Sequence, residues 1–92
     1  MSKTVVVGSR IGLHAAPAQA IAQAAAGYDE PVLLALDGTD DTVNASSALL
    51  IMTLGAEYGA RVKITSTNAR AVEQIAELVS RDLDKALEPQ GP

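Results

Sequence analysis

The only histidine of this 92-residue chain is His14, in the run Gly12-Leu13-His14-Ala15-Ala16-Pro17-Ala18. Pro17 suits the first turn of a helix, where its missing N–H removes no bond, and the alanines beside it favour helix. His14 therefore precedes a helix N-terminus, whose unpaired N–H groups and dipole attract anions such as phosphate. A neutral imidazole beside such an anion site could accept a phosphoryl group. A plain capping or loop role for His14 is the structural alternative.

Composition excludes several other kinds of site. The chain has no cysteine, which rules out disulfides and thiolate metal centres, and one histidine cannot form a histidine cluster. Three aspartates between residues 37 and 41 do not follow the spacing of a calcium loop and suit a turn. The formal charge is −4 and two tyrosines are the only aromatic residues, so a nucleic-acid interface would lack both a basic face and a stacking platform. We therefore expect no metal, no cofactor and no nucleic-acid partner.

Length and hydropathy indicate one domain outside the membrane. Ninety-two residues suffice for a single modest core, so we expect one domain over residues 1–88 and a flexible tail at 89–92. No apolar run approaches the length of a membrane span, and the N-terminus lacks the apolar stretch of a signal peptide. We expect the protein to be cytoplasmic and monomeric.

Hydrophobic periodicity and turn residues predict the order β-α-β-β-α-β-α. Asp37-Gly38 predicts a hairpin turn between the second and third strands, Gly27 should end the first helix, and Thr67 or Asn68 should cap the last. This order is typical of an α+β fold in which helices cover one face of a mostly antiparallel, four-stranded sheet. The predicted strands are Thr4–Val7, Val32–Leu36, Thr42–Val43 and Arg61–Thr65, and the predicted helices are Ala15–Ala26, 48–54 and a last one reaching about Leu87, with Leu83 and Ala86 on its apolar face.

A second stretch of interest, Ser47 to Gly55, combines a helix start with an almost wholly apolar run. Serine is a favoured helix cap, and Ser46 is an alternative to Ser47. A helix this short cannot bury every side against one layer, so some of its apolar residues should stay exposed. Spacing directs Ile51 and Leu54 to the core. The other apolar residues form a candidate docking patch, with scattered surface exposure as the simpler alternative: Ala48, Leu49, Leu50 and Met52.

Both stretches resemble the HPr family, the histidine-containing phosphocarriers of the bacterial sugar phosphotransferase system. Gly12-Leu13-His14-x-x-Pro17-Ala18 is similar to the active-site motif of that family, and Ser47–Gly55 is similar to its serine, apolar patch and Ser/Thr-Leu-Gly. The resemblance covers Val5 to Leu83 and implies an open-faced β-sandwich of four strands and three helices. It also implies that His14 carries a phosphoryl group on Nδ1, received from Enzyme I and passed to EIIA or EIIB components during sugar uptake.

The resemblance implies further roles for the two stretches. The backbone N–H groups of Ala15 and Ala16 would contact the phosphoryl group, whereas Pro17 has no N–H to offer. The apolar patch would dock onto Enzyme I, EIIA domains and, in some bacteria, transcription regulators. Ser47 falls on the serine that HPr kinase phosphorylates in many Gram-positive species, and a phosphate there would add negative charge to the patch. Such a protein carries a transient phosphohistidine and is not a conventional turnover enzyme.

One residue of the motif departs from the family. Ala16 stands where HPr proteins have an arginine, which would add charge-assisted hydrogen bonds to the phosphoryl group. Arg10 is the nearest other guanidinium along the chain. The change indicates an engineered arginine-to-alanine variant, a natural paralogue with altered transfer, or a carrier whose partners supply the cation. A regulatory docking module of the same fold, with weak or absent transfer, and an unrelated small α+β domain are the competing interpretations.

Overall fold

The computed structural model describes residues 1–81. Within these residues the chain forms four strands and three helices in the predicted order. The bounds of α1 and β4 are those predicted, and the others, apart from the end of α3, differ by one or two residues. The strands are β1 (Ser2–Val6), β2 (Leu33–Leu36), β3 (Val43–Asn44) and β4 (Arg61–Thr65), and the helices are α1 (Ala15–Ala26), α2 (Ala48–Thr53) and α3 (Ala69–Ser80).

The end of α3 differs from the sequence-based prediction. Arg81 is extended, with φ −88° and ψ 150°, so the helix ends at Ser80 and does not reach Leu87. The carbonyl of Val79 accepts a hydrogen bond from the N–H of Gly8. Contacts with the segment after β1 therefore take the place of a further helical turn. Leu83 and Ala86, predicted for the apolar face of this helix, lie outside the described residues, as does the predicted tail at 89–92.

The four strands form one sheet in the order β1-β4-β2-β3, and all three strand pairs are antiparallel. The predicted hairpin is confirmed, because β2 pairs directly with β3. Along β4, Val62 and Ile64 are buried beneath the helices, whereas Arg61 and Lys63 are exposed on the other face. This alternation is that of a sheet covered on one face only. The open-faced α+β architecture is therefore confirmed.

The core between the sheet and the helices sets the position of α1. Its buried face consists of small residues and one isoleucine, which allows α1 to pack closely against α2 and α3. Each fully buried Val, Leu or Ile contributes about 1.5–3 kcal/mol by leaving water, and the core contains many: Val7, Leu13, Ile21, Leu34, Ile51, Val62, Ile64, Val72, Ile75 and Val79. Because Leu13 belongs to this core, the residue that follows it is held at the surface.

Candidate functional site

His14 is the N-cap residue of α1, and it is exposed. Its backbone is extended, with φ −118° and ψ 163°, and its side chain makes no capping hydrogen bond. The other two helices do have capping side chains, Ser47 for α2 and Asn68 for α3. The imidazole is therefore not engaged in holding the start of α1, which removes capping as the explanation for the histidine.

The first residues of α1 leave backbone donors beside His14. Within residues 1–81, the N–H groups of Ala15 and Ala16 donate to no other part of the protein. The N–H of Ala18 reaches the carbonyl of His14 only at 3.5 Å, a long contact for a hydrogen bond. Pro17 has no N–H. An anion bound here would therefore meet two donors that the fold does not use, together with the positive end of the helix dipole.

Ala15 has an unusual backbone conformation. Its φ is +44°, in the left-handed region, and among residues 1–81 it is the only non-glycine residue with a positive φ. The left-handed conformation costs an L-residue about 1–2 kcal/mol. A left-handed residue beside a right-handed helical one is also a backbone arrangement that gathers N–H groups around an anion. Sequence reasoning missed this feature because alanine at a helix start predicts ordinary helical angles; a glycine or asparagine would have been the signal.

The loop before His14 rests on the segment that follows α2. Leu13 is buried, and its N–H donates to the carbonyl of Ala56 at 2.9 Å. Gly12 has a φ of +77°, and a Cβ added to it would lie 2.6 Å from the oxygen of Ala56. A side chain at position 12 would collide with that carbonyl, so only glycine allows the close approach. This packing gives His14 a fixed position.

Charged groups around the site are few. Glu57 is exposed and lies against Gly12, since a Cβ there would be 3.0 Å from the Cα of Glu57. Ala16 is exposed and carries no charge. Arg10, in the loop before His14, is exposed and pairs with no carboxylate of residues 1–81. Three other cations do form such pairs: Lys3 with Glu73, Arg61 with Asp37 and Arg81 with Glu77.

The second predicted stretch lies on α2, which packs beside α1. Of the two candidate caps, Ser47 caps the helix, since its Oγ accepts a hydrogen bond from the N–H of Leu50 at 3.2 Å. Ile51 is fully buried, as the spacing predicts, whereas Leu49 is 70% and Leu50 41% exposed. The remaining members of the candidate patch are half-buried, and they pack partly against the core: Ala48 and Met52. The exposed part of the patch is therefore centred on Leu49 and Leu50.

Two other features of residues 1–81 bear on function. No group of three or more side chains of His, Cys, Asp or Glu comes together there in a way that could hold a metal ion. An open groove of about 680 Å³ lies between β1 and α3, and its lining includes Lys3 and Glu73, not His14. His14 thus stands on an exposed surface and does not line that groove.

No helix in the described part of the chain has the length and apolar character needed to cross a membrane.

Three kinds of comparison with known proteins point to one family. A family model described as the PTS HPr component phosphorylation site matches residues 1–81. The chain is 37% identical over 87 residues to phosphocarrier protein HPr of Streptomyces coelicolor, across 90% of this chain and 91% of that protein. It is 30% identical over 81 residues to phosphocarrier protein NPr of Escherichia coli, across 87% and 88%. The crystal structure of phosphocarrier protein HPr from Bacillus anthracis is similar with a TM-score of 0.77 and 33% identity, across 86% of this chain and 95% of that one.

Proposed function

Because this chain belongs to the HPr family, the phosphocarriers of the phosphotransferase system, we propose that His14 is its phosphoryl acceptor. One observation carries the proposal: the histidine and two unused backbone donors, those of Ala15 and Ala16, occupy the same exposed helix start. The nucleophile and the groups that would hold its anionic product are thus adjacent. Exposure of the whole site lets a partner protein bring its own reactive group to His14.

Transfer to His14 is a displacement at phosphorus. The lone pair on Nδ1 forms the new N–P bond while the bond from phosphorus to the donor atom breaks, and the donor atom keeps that electron pair. Onward transfer runs in the same way, with an acceptor lone pair attacking phosphorus and the N–P electron pair returning to His14. The N–H groups of Ala15 and Ala16 would donate to the phosphoryl oxygens and stabilise their negative charge.

HPr proteins act between other components of the phosphotransferase system. For this chain, the donor would be Enzyme I charged from phosphoenolpyruvate, and the acceptors would be EIIA or EIIB components that serve sugar uptake. The carrier would meet these partners in the cytoplasm. Leu49 and Leu50 supply an exposed apolar contact on the helix that packs beside α1. A contact of this small size suits partners that must bind weakly and separate quickly.

Ser47 is the proposed point of regulation, by a kinase of the HPr kinase type. Its hydroxyl caps α2, so a phosphate would stand at the edge of the exposed Leu49–Leu50 surface and oppose docking by its charge. Ser47→Asp should weaken binding to Enzyme I, and Ser46→Asp, one residue from the cap, should weaken it less. Equal affinities for the two variants in a titration would contradict this role.

The phosphocarrier role of His14 is tested by labelling. The protein is mixed with Enzyme I and phosphoenolpyruvate, and intact mass spectrometry counts acid-labile phosphoryl groups. We expect one group on the unsubstituted chain and none on His14→Ala, which should remain folded because the histidine side chain is exposed and makes no capping bond. Absence of label at long times would favour the second candidate, a regulatory docking module, which the uncharged Ala16 supports.

A further inference from the structure

A phosphoryl group on His14 would add negative charge to a chain that already has a formal charge of −4. The start of α1 has no cation of its own, since the residues after His14 are two alanines and a proline. Backbone N–H groups contribute only partial charges. Glu57, whose Cα lies against Gly12, brings a further negative residue to the neighbourhood of this loop. A cation from elsewhere in the chain or from a partner would therefore stabilise the phosphorylated site.

Most cations of residues 1–81 lie outside the loop that carries His14. Three form ion pairs, and they lie on β1, on β4 and after α3: Lys3, Arg61 and Arg81. Lys63 lies on the open face of the sheet, because its neighbours Val62 and Ile64 face the core beneath the helices. None of these four belongs to the loop that carries His14.

Arg70 lies at the wrong end of the molecule. It is in the first turn of α3, whose cap Asn68 donates to the carboxylate of Glu30 at 2.8 Å. Glu30 follows the C-terminal end of α1, so this contact fixes the start of α3 near the end of α1 that is opposite His14. Arg70 is therefore an arginine far from His14, which makes it a suitable control for Arg10.

Arg10 is the cation that lies in the same loop as His14. It is the second residue of a β-turn that is closed by a hydrogen bond of 2.9 Å from the N–H of Gly12 to the carbonyl of Ser9. Such a turn keeps the Cα atoms of Ser9 and Gly12 within about 7 Å. The segment from Arg10 to His14, which has four Cα–Cα steps, therefore cannot extend to its full span of about 13 Å. Burial of Ser9 and Leu13 anchors the turn on both sides. A long arginine side chain can then cover the distance that remains.

We propose that Arg10 is a phosphate-binding residue of this site and contacts the phosphoryl group on His14, an inference that rests on the proposed function. A guanidinium stays charged and presents a planar set of N–H groups that matches phosphoryl oxygens. Arg10 is exposed and pairs with no carboxylate of residues 1–81, so binding the phosphoryl group breaks no ion pair there. Its charge also offsets that of Glu57.

The test compares initial rates of phosphoryl transfer from Enzyme I to Arg10→Ala, Arg10→Lys and the matched control Arg70→Ala. Loss of one contact to a developing charge slows transfer, and we expect about tenfold or more for Arg10→Ala, a smaller loss for Arg10→Lys and no change for Arg70→Ala. The rate at which the isolated phosphorylated protein loses its phosphoryl group by hydrolysis should also change in Arg10→Ala. Docking to Enzyme I plays no part in that measurement.

A second comparison repeats Arg10→Ala in the Ala16→Arg background. If both guanidinium groups contact the same phosphoryl oxygens, the effect of Arg10→Ala should shrink to about twofold. A role of Arg10 in docking alone would instead give equal losses in the two backgrounds. Equal transfer rates for Arg10→Ala and the unsubstituted chain would overturn the proposal while leaving His14 as acceptor. Absence of label on every variant would overturn the proposed function, and this inference with it.

Discussion

The starts of α1 and α3 follow the same local plan, an extended cap residue followed by a helix of twelve residues. At α3 the side chain of Asn68 accepts hydrogen bonds from the N–H groups of Arg70 and Ala71, at 3.0 and 3.3 Å, and donates to Glu30. At α1 the side chain of His14 makes no such bond. The donors of α3 are therefore used for stability, whereas those of α1 stay available to a ligand.

The second helical position sharpens this contrast. It is Arg70 in α3 and Ala16 in α1. A cation is disfavoured at a helix N-terminus unless an anion is present to receive it. An uncharged residue at position 16 thus avoids an unfavourable charge. Under the proposed function, a guanidinium there would be favourable only when His14 carries a phosphoryl group.

Exchanging the cap of α1 for that of α3 should have the largest effect. His14→Asn should abolish phosphoryl labelling, because no imidazole remains, and should raise the free energy of unfolding by about 0.5–1 kcal/mol, because asparagine can accept from the first N–H groups. Intact mass spectrometry and urea unfolding measure the two changes. Persistent labelling would mean that a residue other than His14 accepts the group.

Supplying a cation to α1 should give the next largest effect. Ala16→Arg should speed transfer through His14 by about a hundredfold, since charge that develops in phosphoryl transfer would gain a direct contact. Gln19→Arg is the matched control, because it adds the same charge to an exposed position further along α1. Quenched reactions with Enzyme I give the rates. Equal acceleration by both variants would indicate a general effect of charge on association.

Removing the cap of α3 should affect stability alone. Asn68→Ala should lower the free energy of unfolding by about 1–2 kcal/mol, because two helix donors and the carboxylate of Glu30 lose their partner. Thr67→Ala, an exposed neighbour that does not cap the helix, is the control. The rate of labelling at His14 should not change. A slower rate in Asn68→Ala would show that the two helix starts are coupled.

The smallest expected effects come from glycine substitutions at the first residues of α1 and α3. Ala15→Gly should raise the free energy of unfolding by about 0.5 kcal/mol, because relief of the left-handed conformation exceeds the added flexibility of glycine. Ala69→Gly should lower it by about 0.5–1 kcal/mol, since Ala69 has no such strain. Opposite signs in parallel urea titrations are the expected result. Equal losses in both variants would contradict strain at Ala15.

Local patterns were enough to predict much of the fold. The alternation from Arg61 to Thr65 and the alanine run ended by Gly27 are short-range signals, and the bounds of β4 and α1 agree with them. The end of α3 depends instead on contacts with Gly8 and Ser9, which are distant in sequence. Periodicity along the helix could not reveal them, so it extended the helix too far.

The candidate site likewise has features that local sequence patterns predict and features that depend on tertiary contacts. The motif around His14 predicts the residues of the site, and the spacing along α2 correctly placed Ile51 in the core. The positive φ of Ala15 occurs where the anchored loop meets α1. Local residue propensities do not predict it, because it depends on that tertiary contact. The partial burial of Met52 likewise comes from packing of α2 on the core. The tertiary contacts that position the site therefore could not be predicted from the sequence.

The strand order also has a consequence for how the protein is made. β1 pairs with β4, so Ser2 lies opposite Thr65, and the sheet cannot close until residues 61–65 have left the ribosome. Pairings between such distant residues slow folding, because the intervening chain must be ordered first. The carbonyl of Ala56 that supports the loop before His14 is also synthesised late. Under the proposed function, a nascent chain would therefore contain His14 before it contains the carbonyl that supports the loop, and would not yet present the complete site.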